Sequence, residues 1–376
     1  MILENCLLIL VLGPKLLGKV AGWTSIFGSW ARIGQATIDF KYHMAEMVHE
    51  EKLAIAEGKP RSATITNGLV RASGGIGGEE VRNDHTTFTG LTEDEIFGNL
   101  FVYNFAGHDT TAIASNWVLY MLAAYPEDQD WVGEELSAVL GERDDKMVVE
   151  EFADLYPKLN RCLALLVSSP PPHLSLTTLH CNTVIFSFPV TLLTLRKYET
   201  LRLWHPLLGV CKSTFDRPQP LKVGDRTLII PPDTRICPAS SGLHTLPLYW
   251  GTDSLEWKPE RWIVSSSSSS LSPPTTKTNS SGTKLAAEDL KTPEKGSWIP
   301  WSAGLRVCPG KKFSQVEFVA IIVGLLRRHR VQVVPNEGET ARDARERVKA
   351  CVDDTMVVLL FQMKNPESVG LKWVEC

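Results

Sequence analysis

One cysteine stands in a setting unlike that of the others. The chain has eight (Cys6, Cys162, Cys181, Cys211, Cys237, Cys308, Cys351 and Cys376), scattered and with no CxxC pair. A zinc site and a disulfide framework therefore lack support, and a reducing compartment or a cytosolic membrane face is the expected setting. Cys308 alone lies in Trp301-Ser302-Ala303-Gly304-Leu305-Arg306-Val307-Cys308-Pro309-Gly310. Gly304 and Gly310 let the backbone come close to a flat, bulky group. Arg306 can pair with an anionic substituent of that group. A helix is expected just after the cysteine, and its N-terminal partial charge favours thiolate over thiol. For a cysteine such as Cys237 or Cys351 the ordinary reading is a small inert hydrophobe. At Cys308 the context points to a ligand.

Two further clusters carry chemical groups. Ala106-Gly107-His108-Asp109-Thr110-Thr111 puts a glycine, an acid and two hydroxyls inside what is otherwise a strong helix. Glycine there costs about 1 kcal/mol against alanine, and Thr110 can bond back to the Ala106 carbonyl. By itself this reads as a kinked helix. Glu199-Thr200-Leu201-Arg202 places opposite charges three apart, on one helix face. By itself that reads as a surface ion pair of little worth.

The elements that would position these groups are mainly helical. A pattern over 28–56 is amphipathic, and 58–85 is polar and glycine-rich, a surface connection. Thr92-Glu93-Asp94-Glu95 is a capping box flanked by Leu91 and Ile96. The helix it opens meets no proline until Pro126. It runs from Glu93 to Ala124, roughly 48 Å, and is almost wholly apolar, hence buried, from Ile113 on. An amphipathic helix follows near 131–140, and then a helical stretch ending near Leu166. Residues 199–203 resume a helix, 221–236 read as a hairpin, 313–327 as an apolar helix, and 331–361 alternate in places like strands. Residues 264–297, with a serine run and several prolines, read as a disordered surface loop. The apolar run from Cys6 to Leu12 is too short to span a bilayer, which takes about 20 residues, and shows no signal-peptide pattern; it reads as part of a core helix, with no visible anchor. A net charge of −4 gives no ground for a nucleic-acid partner.

The loop around Cys308 resembles the haem-binding segment FxxGxRxCxG of the cytochrome P450 family, with Trp301 for the usual phenylalanine. The resemblance makes Cys308 the axial ligand of haem b (iron protoporphyrin IX), whose thiolate favours O–O cleavage, with Arg306, Gly304, Gly310 and Trp301 in the cofactor-binding loop. It makes Asp109 and Thr110 the acid–alcohol pair that hands on protons during oxygen activation. It places Glu199 and Arg202 with Arg261, from Pro259-Glu260-Arg261-Trp262, in a buried structural triad behind the loop. The motifs stand in the family's order over roughly 92–320. Implied are the cytochrome P450 fold, mainly α with small β-sheets, and a monooxygenase inserting one atom of O2 into a small organic substrate. Electrons would come from NADPH–cytochrome P450 reductase at the cytosolic face of the endoplasmic reticulum. The style resembles eukaryotic, filamentous-fungal members, often in secondary metabolism. An alternative is a truncated, non-catalytic fragment unable to bind haem productively; a peroxide-rearranging haem protein is disfavoured by the intact Asp109–Thr110 pair.

Two departures shape the domain expectation, a single incomplete domain over 1–376 lacking its N-terminal portion. Only 106 residues precede Gly107, fewer than the family carries. Residues 167–197, rich in Ser, Thr, Leu, Pro and Phe and free of Asp and Glu, interrupt a helix where the family runs almost straight on. Removing them joins Leu165-Leu166 to Tyr198-Glu199 and restores one helical pattern, so a translated intron is expected there.

Overall fold

The computed structural model describes residues 19, 28–60, 64–73, 90–165, 199–265 and 288–376. The expected insertion at 167–197 and the apolar run at 6–12 lie outside them. Two compact units are present, Met1–Asp109 and Thr110–Cys376.

The first unit is built from α1 (Gly28–Ala56), α2 (Ile65–Arg71) and the opening turns of α3 (Glu93–Ala124). Met44 and Val48 of α1, Val70 of α2, and Ile96 and Leu100 of α3 form its core. The pairs 44/48 and 96/100 are four apart, so each helix presents one apolar stripe. The α2 helix corrects the expectation of a plain surface connection over 58–85. Thr64 caps it, its hydroxyl accepting the Asn67 N–H at 3.1 Å, and burial of Val70 holds it down. The box that opens α3 is closed in both directions. Glu95 Oε2 accepts the Thr92 N–H at 2.8 Å, and Thr92 Oγ1 accepts the Glu95 N–H at 3.3 Å. The helix then runs its full 32 residues.

The second unit takes the rest of α3, where Trp117, Val118, Met121 and Leu122 are buried. Against it pack α4 (Pro126–Leu140), α7 (Asn160–Ala164) and α11 (Lys311–Leu326), through Val132, Leu136, Leu163, Phe318 and Ile322. The short helices α5 (Asp145–Glu150) and α6 (Phe152–Leu155) link α4 to α7. Beyond α7 come α8 (Thr200–Leu203), α9 (Ser240–Thr245) and α10 (Pro247–Trp250).

The sheets are small. Five antiparallel pairs join β1 (Lys212–Ser213) to β4 (Arg235–Ile236), β2 (Gln219–Val223) to β3 (Arg226–Ile230), β5 (Ile263–Ser265) to β6 (Glu288–Leu290), β7 (His329–Val333) to β10 (Leu371–Glu375), and β8 (Thr355–Val357) to β9 (Phe361–Met363). The hairpin expected over 221–236 is β2–β3, turning at Gly224 with φ +59°. A helix, α12 (Ala341–Asp353), occupies part of the tail that was expected to be strand-like. Its buried Ala344, Val348, Cys351 and Val352 follow a helical period, and Thr340 caps it.

The expectation of a disordered loop over 264–297 is corrected at both ends of that range. Ile263–Ser265 and Glu288–Leu290 pair as strands, Leu290 and Ser297 are buried, and only 266–287 falls outside the described residues. Charge explains the correction. Glu288 takes both arms of buried Arg161, at 2.9 and 2.8 Å, while Arg161 also donates to Glu134 and to the Trp131 carbonyl. Glu135 completes the joint by accepting the backbone N–H groups of Arg161 and Cys162, first-turn donors of α7. Arg161→Ala should strip the pairing from Glu288 in a nearly dry site and lower unfolding free energy by about 3 kcal/mol. Urea titration of parent and variant measures it; a loss near zero would show that Arg161 acts as a solvated surface charge.

Candidate functional site

The loop before α11 is wound tightly. Ser302 and Gly304 have positive φ, +64° and +80°, and Gly304–Arg306 form one 3-10 turn. The Cys308 N–H donates to the Trp301 carbonyl at 2.9 Å, and the Lys311 N–H to the Cys308 carbonyl at 3.3 Å. Cys308 is thereby fixed just before the first turn of a 16-residue helix. Trp301 is pinned beneath, its Nε1 donating to Ser314 Oγ at 3.2 Å. Its ring lies 5.5 Å from Lys311 Nζ.

The outer face of this loop is bare and apolar. Leu305 is fully exposed, Phe313 is 65% exposed, and Val307 and the Cys308 thiol are also at the surface. A Cβ on Gly304 would meet nothing within 4 Å. Arg306 is exposed and in no ion pair among the described residues. An outward thiol, an apolar rim, open space and one unpaired cation fit a flat, apolar, anion-bearing group bound through sulfur, as haem is.

Behind the loop lies a buried charge network. Glu199 is 0% exposed, and its carboxylate accepts five donors. Oε1 takes Arg202 Nη2 at 2.7 Å, Arg261 Nε at 2.9 Å and the Lys258 N–H at 3.0 Å. Oε2 takes Arg202 Nε at 2.8 Å and Trp262 Nε1 at 2.7 Å. Arg202 also donates to the carbonyls of Ser254 and Glu256, and Arg261 to Asp253 at 3.1 Å. The three residues named from the sequence are thus brought together, in a dry site rather than on the surface.

Residues that sequence reasoning passed over link this network to the loop. His244 Nε2 accepts the Ile299 N–H at 2.9 Å, and His205 Nε2 lies 2.5 Å from the Pro300 carbonyl. Trp250, Trp262 and Trp298 pack between in tilted and edge-to-face contacts, with centroids 5.0 to 5.8 Å apart. Lys212 Nζ reaches Ser302 Oγ at 2.6 Å and the Ala303 carbonyl at 3.3 Å. The tryptophan of Pro259-Glu260-Arg261-Trp262 was a visible signal; the histidines, separated by 39 positions, were not.

Asp109 and Thr110 are consecutive on α3, and the helix is unbroken through both. Asp109 closes the first unit and Thr110 opens the second. The Asp109 carboxylate is 3.0 Å from His108 Nδ1, and next to the pair Ser115 donates back to the Thr111 carbonyl at 2.8 Å.

A family model described as Cytochrome P450 matches residues 23–156 and 190–352. The chain belongs to the cytochrome P450 family. It is 28% identical to the "Phomenoic acid biosynthesis cluster cytochrome P450 monooxygenase" of Leptosphaeria maculans over 91% of this chain and 52% of that protein. It is 26% identical to a cytochrome P450 monooxygenase of Arthrobotrys oligospora over 90% and 53% respectively. The chain thus spans about half the length of the curated relatives it matches. A crystal structure of a cytochrome P450, CYP102L1, superposes on 94% of this chain and 60% of that one with TM-score 0.53 and 17% identity, showing the cytochrome P450 fold. Among the described residues no helix is long and apolar enough to cross a membrane.

The network has a pH signature. Burial, with the nearby His205 and the Arg202 charge, pushes His244 down from 6.5 to about 3, and burial also lowers His205. The unfolded chain takes up a proton at position 244 before the folded one does. The stability that neutral His244 supplies is therefore complete above pH 6.5 and lost as the pH falls toward 3. His244→Gln should flatten the fall in Tm between pH 7 and pH 5; parallel Tm–pH curves for parent and variant would contradict the assignment.

Proposed function

We propose that this cytochrome P450 is a haem-thiolate monooxygenase that inserts one atom of O2 into a small organic substrate of secondary metabolism. The observation that carries the reading is Cys308, held outward on a strained loop at a helix start and braced from behind by the Glu199 network. Bound there, haem b would supply the oxygen-activating chemistry. Cys308 would hold the iron, and Arg306 would pair with a propionate. Trp301, its indole N–H bonded to Ser314, would supply the loop's aromatic group. Thr110 offers a hydroxyl and Asp109 a carboxylate in one turn of one helix, the groups needed to take and pass a proton. NADPH–cytochrome P450 reductase is the proposed electron donor, at the cytosolic face of the endoplasmic reticulum. Support for secondary metabolism comes from the Leptosphaeria relative, whose name places it in a biosynthesis cluster.

The reduced-CO difference spectrum of the haem-reconstituted chain tests the reading. A thiolate-type Soret band is expected in the parent and should vanish in Cys308→Ala, since no other cysteine has flanking glycines and a following helix. A parent without the band would favour a non-catalytic fragment, and a band that survives Cys308→Ala would refute the ligand assignment.

Thr110→Ala removes the hydroxyl while leaving α3 intact. Proton-dependent turnover should fall on the order of 10²-fold, with peroxide released per NADPH consumed rising and substrate affinity little changed. Unaltered coupling would speak against the Asp109–Thr110 assignment.

A further inference from the structure

The helices on either side of residues 166–198 meet in a defined register. The Glu199 N–H donates to the Ala164 carbonyl at 3.0 Å, and the Thr200 N–H to the Leu165 carbonyl at 3.2 Å. The Thr200 hydroxyl bonds the same Leu165 carbonyl at 2.7 Å, as helical threonines do to the residue four before them. Leu165 (φ −66°, ψ −30°) and Glu199 (φ −86°, ψ −40°) both have right-handed helical backbone. Burial is continuous across the junction, with Leu163, Ala164, Leu165, Glu199 and Thr200 all inaccessible.

In an α-helix each N–H meets the carbonyl four residues earlier. Ala164 with Glu199, and Leu165 with Thr200, therefore bond as residues four apart. That leaves room for two residues between Leu165 and Glu199, where the sequence has thirty-three. Thirty-one are surplus to the helix.

Three windows of thirty-one residues satisfy this count. They open on Leu166, Val167 or Ser168 and close on Arg196, Lys197 or Tyr198 respectively. An intron lying between codons opens with GT and closes with AG. Every valine codon begins with GT, and no leucine or serine codon does. A lysine codon can end in AG, and no arginine or tyrosine codon can. Only 167–197 meets both conditions. The same window lacks Asp and Glu and is rich in residues of pyrimidine-rich codons. The family match breaks between 156 and 190, beside and partly within it. Backbone geometry and codon chemistry are independent: the first fixes the surplus at thirty-one residues, and the second selects one of the three windows of that length.

We infer that residues 167–197 are the translation of a retained in-frame intron, and that the functional protein joins Leu166 directly to Tyr198 in one helix spanning 160–203. This helix carries Glu199 and Arg202 rigidly from the start that Glu135 caps to the network behind the cysteine loop. The inference does not rest on the proposed activity, because its readouts are folding and transcript sequence.

Three deletions from the full chain test it: 167–197, and the one-residue-shorter and one-residue-longer 167–196 and 167–198. Shifting the junction by one residue turns the Glu199–Arg202 segment about 100° relative to the preceding turn and swings Glu199 away from Arg261. The 167–197 deletion should melt cooperatively, at or above the Tm of the full chain by circular dichroism. The other two should melt roughly 5 °C or more below it. Sequencing of the transcript should find messages in which codon 166 is followed by codon 198. Equal Tm values for the three deletions, failure of all three to fold while the full chain melts cooperatively, or a transcript pool that always retains codons 167–197 would each overturn the inference.

Discussion

The second unit is organised around one buried carboxylate. Glu199 has no contact with solvent, and taking a charged group out of water costs several kcal/mol. The cost is offset because both oxygens are filled, by two guanidiniums, an indole N–H and a backbone N–H. The partners come from three pieces of chain: α8, the 3-10 turn at Pro259–Trp262, and the segment leading into it. Removing any of them would leave charge unpaired in a dry interior. The carboxylate therefore sets where these pieces must sit, and the wall of tryptophans and histidines on which the cysteine loop rests follows from it.

The loop itself is held by backbone rather than by side-chain charge. Positive φ at Ser302 and Gly304 bends the chain so that Cys308 faces outward while its N–H points back to Trp301. Glycine takes such a conformation at no steric cost; Ser302 does not, and the Lys212 ammonium on its hydroxyl helps to hold it. His205 and His244 fix Pro300 and Ile299 immediately upstream. Burial keeps both rings toward the neutral form, which suits groups packed beside Arg202. Support for the Cys308 loop thus comes from hydrogen bonds close by and from compensated charge one layer further back.

Helical continuity is the third constraint. Glu199 can reach its partners only if α8 leaves α7 at the correct angle, and a helix allows one angle per residue count. The bonds from Glu199 to Ala164 and from Thr200 to Leu165 maintain that angle across thirty-three intervening residues. Local hydrogen-bond geometry here carries information on which residues belong to the folded protein.

Much of this was legible in the sequence, where short-range rules apply. The capping box and proline-free run set both ends of α3, since caps and breakers act within one turn. The glycines, arginine and cysteine of 301–310 marked the loop because their roles depend on neighbours a few positions away. The acid–arginine spacing in 199–202 marked a pair, but the other three donors on Glu199 and the joining of His205 to His244 depend on segments 39 to 63 residues apart. The helix α12 and the strands bordering 266–287 were missed for a related reason. Their composition is polar, and only packing of Val348 or the pairing of Glu288 with Arg161 gives them a buried side. Types and local spacing determined which residues could do chemistry. Tertiary structure decided which charges would be dry, because solvent exclusion depends on every segment that covers a group, and those segments are distant in the chain.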